Sequence, residues 1–457
     1  MEIVILGAGI SGCSAYLLLK KHLPKPLSAE PHSITIFEAH DSEAGARSRS
    51  TLVVGGGLGV GANGLNVLKR LDEDLLLDVV RGGYVVPTMK MKAKGGALLA
   101  RTQPGGGGEA GADMHMVASS RHALWTCLRA RIPDGAIVTK TVARVVARPE
   151  GRNLVVFADG SPPVEADLVI GADGVKSVAK HALFPEADQD PFPPQYEGLV
   201  GVGGFVPSAL VRDRVEKGSM NFVFGGNGFF GYFFANSAPS SPHRESPFHL
   251  SEPGDTLAWW STFTADECPT ASTLDADAVT RQLQGRHKDW KDPVVQAILP
   301  SLRVENMYPT WTVPPLPTWE RDGVVLIGDA AHALPPTSGQ GSSQALEDAE
   351  AFTLFLSHHL RRAYQEHRTD TASRKRVVKT AAKQYMELRI PRVSKILHDA
   401  QKRQNSKRDM SVLEEYLMYL YLWIMGCFPS LLSKPVNDVF RYNVAEEVKK
   451  RLGKAET

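Results

Sequence analysis

The apolar and polar positions alternate differently in successive parts of the chain. Ile3 to Leu6 is a short apolar run that ends at Gly7, and the apolar spacing from about Ile10 to Leu23 has the period of a helix. "KHLPKPLSAEPHS" is polar and punctuated by proline, after which "SITIFEA" returns as a strand and completes a β-α-β unit. "TLVVGGGLGVGANGLNVLKRL" sets a Gly-rich loop before a helix that starts near Asn63. A hairpin pattern follows from Tyr84 to Arg101, then the glycine-rich loop "PGGGGEAGAD". "SSRHALWTCLRARI" reads as an amphipathic helix with Ser119 or Ser120 as its N-cap. "DLVIGADG" repeats the opening design, a buried strand that runs into Gly and Asp.

The middle of the chain has the other period. From about Gln195 to Phe263, alternating apolar residues, the turn "GGNG" (Gly225 to Gly228) and "LAWWSTF" predict antiparallel strands. "DADAVTRQLQ" is helical, and "GVVLIGD" is again a buried strand, this time ending at Asp329. After Leu356 the pattern is helical to the end, and the basic run "RKRVVK" there reads as a solvated helix face. The expectation is an α/β body interrupted by a β-rich insertion and followed by a helical tail.

Composition narrows the class. The 457 residues are 43% hydrophobic and 22% charged, with a net charge of +2, so no long-range field points to nucleic acid. Cys13, Cys127, Cys268 and Cys427 stand far apart without a CxxC, which excludes a thiolate zinc site and suits a reducing compartment. No metal-ligand spacing is visible. A strand begins almost at the first residue, which leaves no room for a targeting peptide and suggests a cytoplasmic protein. The apolar stretch 416–428, "YLMYLYLWIMGCF", is shorter than the ~20 residues of a membrane span. Its aromatic content allows peripheral contact with a membrane, whereas packing on the body is the blander reading.

Gly7, Gly9 and Gly12 form G-x-G-x-x-G between a strand and a helix. The first permits the tight turn, the second lets the backbone approach a pyrophosphate, and the third packs helix on strand. The helix N-terminus adds free N–H groups and a positive dipole end. Glu38 closes the second strand, where a carboxylate accepts ribose hydroxyls, although its interval from Gly12 exceeds the usual ~20 residues. A glutamate there fits a nucleotide without a 2′-phosphate, and FAD and NAD both qualify. Asp329 decides for FAD: a carboxylate at a strand end suits the ribityl hydroxyls of a flavin. The helix after Gly341 aims its N–H groups at the flavin edge where negative charge accumulates on reduction. This reading takes Asp329 to be buried, where an unliganded carboxylate would be costly.

With "GAGISG", "GADG" (Gly171 to Gly174) and "GDAAHALPPTSGQG" (Gly328 to Gly341) in order, the chain resembles the class A flavoprotein monooxygenases of the 4-hydroxybenzoate and salicylate hydroxylase type. The resemblance spans roughly Met1 to Leu360, and "FVFGGNGFFGYFFA" with "AWWSTF" looks like the substrate sheet of fungal members. It implies a Rossmann-like FAD-binding domain at 1–190 and 301–365, an inserted antiparallel substrate domain at 191–300, and a helical region at 366–457. It implies that NADH or NADPH, docking transiently, reduces FAD, and that a C4a-hydroperoxyflavin then hydroxylates or epoxidises an electron-rich substrate. That substrate would be a small molecule of aromatic, polyketide or terpenoid type.

By the same resemblance, Gly57, Pro336, Gly339, Gly341 and Ser342 line the cofactor, Arg121 contacts it, and Asp173 works near its pyrophosphate and the nicotinamide dock. Arg47 stands where many members place a flavin-side arginine, and Arg49 competes for that role. Tyr232 matches the tyrosine of a phenolate-holding pair, but Gly203 occupies the place of the partner arginine. Lys180 stands where an arginine is usual, and His332 reads as a structural histidine. Two alternatives share this scaffold: a flavin reductase or dehydrogenase, and a non-catalytic flavin-binding protein.

Overall fold

The computed structural model describes residues 1–27, 31–40, 57–104, 113–269, 275–304, 307–404 and 409–455. Its centre is a six-stranded sheet in the order Glu320–Arg321, Val324–Leu326, Leu168–Gly171, Glu2–Leu6, Ser33–Glu38, Ile137–Thr139. All neighbours pair in parallel except the first two. Helices lie against this sheet, so its strands are apolar throughout rather than alternating: Ile3, Val4 and Ile5 are fully buried, as are Val324, Val325 and Leu326. The register sets Leu6, Gly171 and Leu326 side by side. The chain therefore leaves three adjacent strands at one level, carrying the Gly7 loop, Asp173 and Asp329 to one edge. That carboxyl edge is where parallel sheets bind ligands.

A seven-stranded sheet forms the second layer, in the order Met307–Thr312, Gln195–Pro207, Thr256–Thr264, Gly228–Phe234, Ser219–Gly225, Thr88–Ala93, Leu98–Thr102. Its composition differs from the sequence expectation. The hairpin Thr88–Ala93/Leu98–Thr102 lies inside the stretch 1–190 and Met307–Thr312 inside 301–365, yet both belong to this sheet. Thr88–Ala93 pairs in parallel with Ser219–Gly225, a partner far along the chain that local alternation cannot reveal.

Helix Gly341–Gln365 packs against helices Ile10–His22, Ala62–Leu71 and Thr371–Gln404. Its Glu347 and Asp348 are both fully buried, so each must be paired. Asp348 accepts from Gly328 N–H (2.9 Å), from His332 Nε2 (2.5 Å) and from Arg389 Nε (2.7 Å). Glu347 accepts from Asn63, from Arg392 and from Arg389. Burial opposes the charged form of Asp348, but His332 and Arg389 outweigh it and hold the carboxyl down at about 2. Arg389, itself fully buried, comes from helix Thr371–Gln404. The helical tail thus clamps the turn that carries Asp329.

Replacing Arg389 by methionine leaves two buried carboxylates short of their cation. The variant is expected to lose ~3–5 kcal/mol of stability, read from urea unfolding. A loss below about 1 kcal/mol would show that the pair does not depend on Arg389.

Candidate flavin site

The glycine loop has the geometry of a phosphate cradle. Gly7 has φ +93°, and a Cβ there would stand 2.6 Å from Ala172 O. A Cβ at Gly12 would collide with Gly7 O, whereas at Gly9 it would meet nothing within 4 Å. Two of the three glycines thus permit close packing and the third faces open space. Helix Ile10–His22 begins at Gly9 without a side-chain cap, which leaves its first N–H groups for a ligand. Glu38 stands beside this loop, its Oε2 accepting from Ala8 N–H at 2.7 Å and its Oε1 from His40 N–H at 3.0 Å. Each oxygen keeps a second lone pair for a hydroxyl.

The Gly328–Gly341 segment faces the same opening. Gly328 has φ +60°, and a Cβ there would collide with Ser11 Oγ at the start of the glycine helix. Asp329 follows at once. It is exposed and makes no hydrogen bond among the described residues, so the sequence expectation of a buried carboxylate is corrected. The carboxylate stands at the surface, where solvent can hydrate it without a ligand. Pro336, Gly339 and Gly341 are exposed too, and helix Gly341–Gln365 starts without a side-chain cap. Ser342 Oγ donates to Gly59 O at 3.4 Å, and Ser343 Oγ accepts from Gly61 N–H at 3.1 Å. These contacts join the helix start to strand Gly57–Val60.

Arg121 is the first residue of helix Arg121–Arg129, capped by Ser120. It is exposed, and Trp125 one turn later donates to Ala8 O at 2.8 Å, which brings that helix to the glycine loop. Asp173 lies against Gly7, but its carboxylate serves its own turn: Ser177 Oγ donates at 2.6 Å and Val178 N–H at 2.7 Å. Burial nonetheless pushes its carboxyl upward. Lys180 is buried and pairs with Asp190 at 2.6 Å, so it keeps a charge partner although it is not arginine. Arg47 and Arg49 lie outside the described residues. Gly57 is exposed at the cleft, and a Cβ there would stand 3.1 Å from Phe233 Cε1.

Register decides Tyr232. Opposed residues share a face, and Phe233, Gly231, Trp260, Phe222 and Met91 fall on the face that meets Gly57 of the flavin layer. Tyr232 and Phe230 fall on the other, against Asp292 and His287. Tyr232 is 0% exposed, its hydroxyl held by Lys92 Nζ at 2.8 Å and donating to Asp292 at 3.3 Å. Burial, and then the Asp292 charge, push its phenol far above the ordinary range. The catalytic assignment of Tyr232 is therefore corrected: it belongs to the packing behind the sheet.

The flavin-side face of the sheet is aromatic. A Cβ at Gly231 would collide with the Trp260 indole, so that glycine lets the ring lie flat. Phe222, Phe229 and Phe233 surround the indole with centroids 5.6 to 5.8 Å away. Met89, Met91, Phe222, Phe224 and Trp260 are only half-buried, whereas Asn221, Val223 and Trp259 on the opposite face are buried. In Thr88–Ala93, Ser219–Gly225, Gly228–Phe234 and Thr256–Thr264, the residues on the flavin side include no charged side chain. Sequence reasoning placed these aromatic stretches in a substrate sheet without saying which of them share a face, and it missed Trp125 and Asp348. Trp125 stands one helical turn after Arg121 and Asp348 two turns after Gly341, and those spacings were the available signals.

The stretch 313–387 matches the FAD binding domain family. The chain is 26% identical over 408 residues to 3-amino-4-hydroxybenzoate 2-monooxygenase of Streptomyces cremeus, covering 87% of this chain and 85% of that one. It is 25% identical to salicylate hydroxylase of Pseudomonas putida, covering 82% and 78%. A salicylate hydroxylase substrate complex has the same fold, with a TM-score of 0.71 at 20% identity over 98% and 97% of the two chains. So does HpxO of Klebsiella pneumoniae, solved with FAD and uric acid, at 0.67 and 20% over 95% and 98%. The cradle fits the cofactor of these relatives, with an open Gly9, two uncapped helix starts and a free carboxylate at Asp329 facing one cleft. Together these likenesses indicate the class A FAD-dependent aromatic hydroxylases and support an FAD-dependent monooxygenase.

Proposed function

We propose that this monooxygenase oxygenates a neutral, apolar ring or alkene of aromatic, polyketide or terpenoid type, and that it works beside a lipid surface. The uncharged aromatic face around Trp260 carries the first half of this reading. The substrates named for its relatives, such as 3-amino-4-hydroxybenzoate and salicylate, are carboxylates. A carboxylate leaving water needs a cationic or hydrogen-bonding partner, and the four central strands present no charge to it. Met91, Phe222 and Trp260 offer a flat apolar bed instead.

When bound, FAD would supply the redox and oxygen chemistry, with NADH or NADPH as the reductant. The chain's residues bind and orient. The N–H groups after Gly9 would hold the pyrophosphate, Glu38 would accept ribose hydroxyls, and Arg121 would add a cation at the glycine loop. Asp329 would accept from the ribityl hydroxyls. The first N–H groups of helix Gly341–Gln365, beside Pro336, Gly339 and Ser342, stabilise negative charge on the flavin edge. Asp173 holds the wall behind Gly7 rather than touching a ligand. Phe233 against Gly57 closes the aromatic sheet over the flavin layer and keeps water from the reacting ring.

Three outcomes follow. Asp329→Ala loses an acceptor for ligand hydroxyls, expected to cost ~1–3 kcal/mol, roughly 5- to 150-fold in the Kd for FAD. Wild-type flavin occupancy after gel filtration would refute that role. Tyr232→Phe should leave the ratio of substrate oxygenated to NAD(P)H consumed unchanged and lower stability by ~1 kcal/mol. Phe222→Glu, on the opposite face, should divert electrons to hydrogen peroxide. The reverse pattern of peroxide yields would restore Tyr232 to the site. Finally, in a panel of matched phenols with and without a ring carboxylate, the neutral member of each pair should stimulate NAD(P)H oxidation more. Consistent preference for the acids would overturn the substrate assignment.

A further inference from the structure

The helix Val412–Cys427 is apolar on the side that should be polar. Val412, Leu413, Tyr416 and Leu417 are 56 to 70% exposed, and Leu420, Tyr421, Trp423 and Ile424 are 42 to 60% exposed. At ~100° per residue these eight side chains occupy one half of the helix circumference, and no charge falls among them. The blander sequence expectation, a helix packed on the body, holds only for the other half. There Glu415 is 3% exposed and its Oε2 accepts from Lys94 Nζ at 2.8 Å. Tyr419 donates to Phe224 O at 2.7 Å, and Gly426 is pressed against Leu99 and Ala100. The helix is fastened to the edge of the substrate sheet and turns its apolar half outward.

We propose that this half-cylinder docks into the interfacial region of a lipid bilayer, lying flat on it. This rests on the reading of an enzyme that works beside a lipid surface and deepens it by naming the docking element. Among the described residues, no helix is long and apolar enough to cross a membrane, so contact is from one side. The order around the helix selects lipid over protein. Trp423 and Tyr416 fall near one border of the strip and Tyr421 on the other, with Leu420, Leu413, Ile424 and Leu417 between them. Rings with a polar tip at the borders and aliphatic chains in the middle match head groups outside and acyl chains within.

The test is flotation of the purified, flavin-loaded enzyme with vesicles of dioleoylphosphatidylcholine alone. The wild type should rise with the vesicles. Leu417→Glu/Leu420→Glu/Ile424→Glu should stay below, at least 10-fold depleted from the lipid fraction, with flavin content and melting temperature unchanged. Tyr421→Asp, a single exposed change, should weaken flotation several-fold and serves if the triple variant fails to fold. A wild type that does not float overturns the proposal, as does a folded variant that floats equally. So does light scattering that finds a dimer dissolved by these changes while flotation persists. Substrate preference plays no part in these readouts, so an error in the substrate class would leave them intact.

Discussion

Two carboxylates on one buried helix turn, Glu347 and Asp348, constrain much of this molecule. A buried charge must find partners or neutralise, and the partners here come from three separate segments: Asn63, the Gly328–His332 turn, and helix Thr371–Gln404 with Arg389 and Arg392. The demand for pairing therefore dictates how helix Ala62–Leu71, the Asp329 turn and helix Thr371–Gln404 sit together. Asp348 takes the N–H of Gly328, the residue whose positive φ sends Asp329 into the cleft. Asp329 has no protein partner of its own among the described residues. It owes its position to a neighbour that is wholly paired, and division of labour of this kind suits a binding site. One carboxylate serves the structure while another stays unpaired among the described residues.

The substrate sheet shows the same division between its two faces. Behind it, Lys92, Tyr232 and Asp292 form a closed polar cluster, with Asp292 also capping helix Pro293–Ile298. Polar groups buried there are satisfied, so they rigidify the sheet without offering anything to a ligand. In front, half-buried Met and aromatic side chains present surface but little hydrogen-bonding capacity. A cleft walled by polar acceptors on one layer and by rings on the other can hold a dinucleotide and an apolar molecule in contact. Neither layer alone could do both.

Much of this was legible in the sequence because the signals were local. The glycine spacing, the strand before it and the short apolar run before Asp329 each depend on residues within one turn or one strand. The β-rich middle and helical tail were legible for the same reason. What failed depended on register. "GFFGYFF" has no alternation, since every residue of Gly228–Phe234 is buried, so parity along that strand could not say which side Tyr232 takes. Only pairing with Asn221 and Trp259 decides it. The hairpin at Thr88–Thr102 was visible as a hairpin, but its membership of the second sheet rests on a parallel pairing across more than a hundred residues. Likewise, Arg389 carries no local sign that it faces two carboxylates.

The misjudged burial of Asp329 has a physical lesson beyond its own correction. The sequence argument held that a buried, unpaired carboxylate is costly and must therefore have a ligand. The premise is sound, yet the fold meets it differently, by leaving the carboxylate at an open cleft where water serves it when the cofactor is absent. In the role proposed for Asp329, loading of FAD would exchange hydration for hydroxyl groups of the ribityl chain, and the desolvation cost would fall on binding rather than on folding. The neighbouring Glu347 and Asp348, which no ligand reaches, have their cost met inside the protein by Arg389. Which carboxylates a fold leaves wet and which it pairs thus separates the groups that bind from the groups that hold.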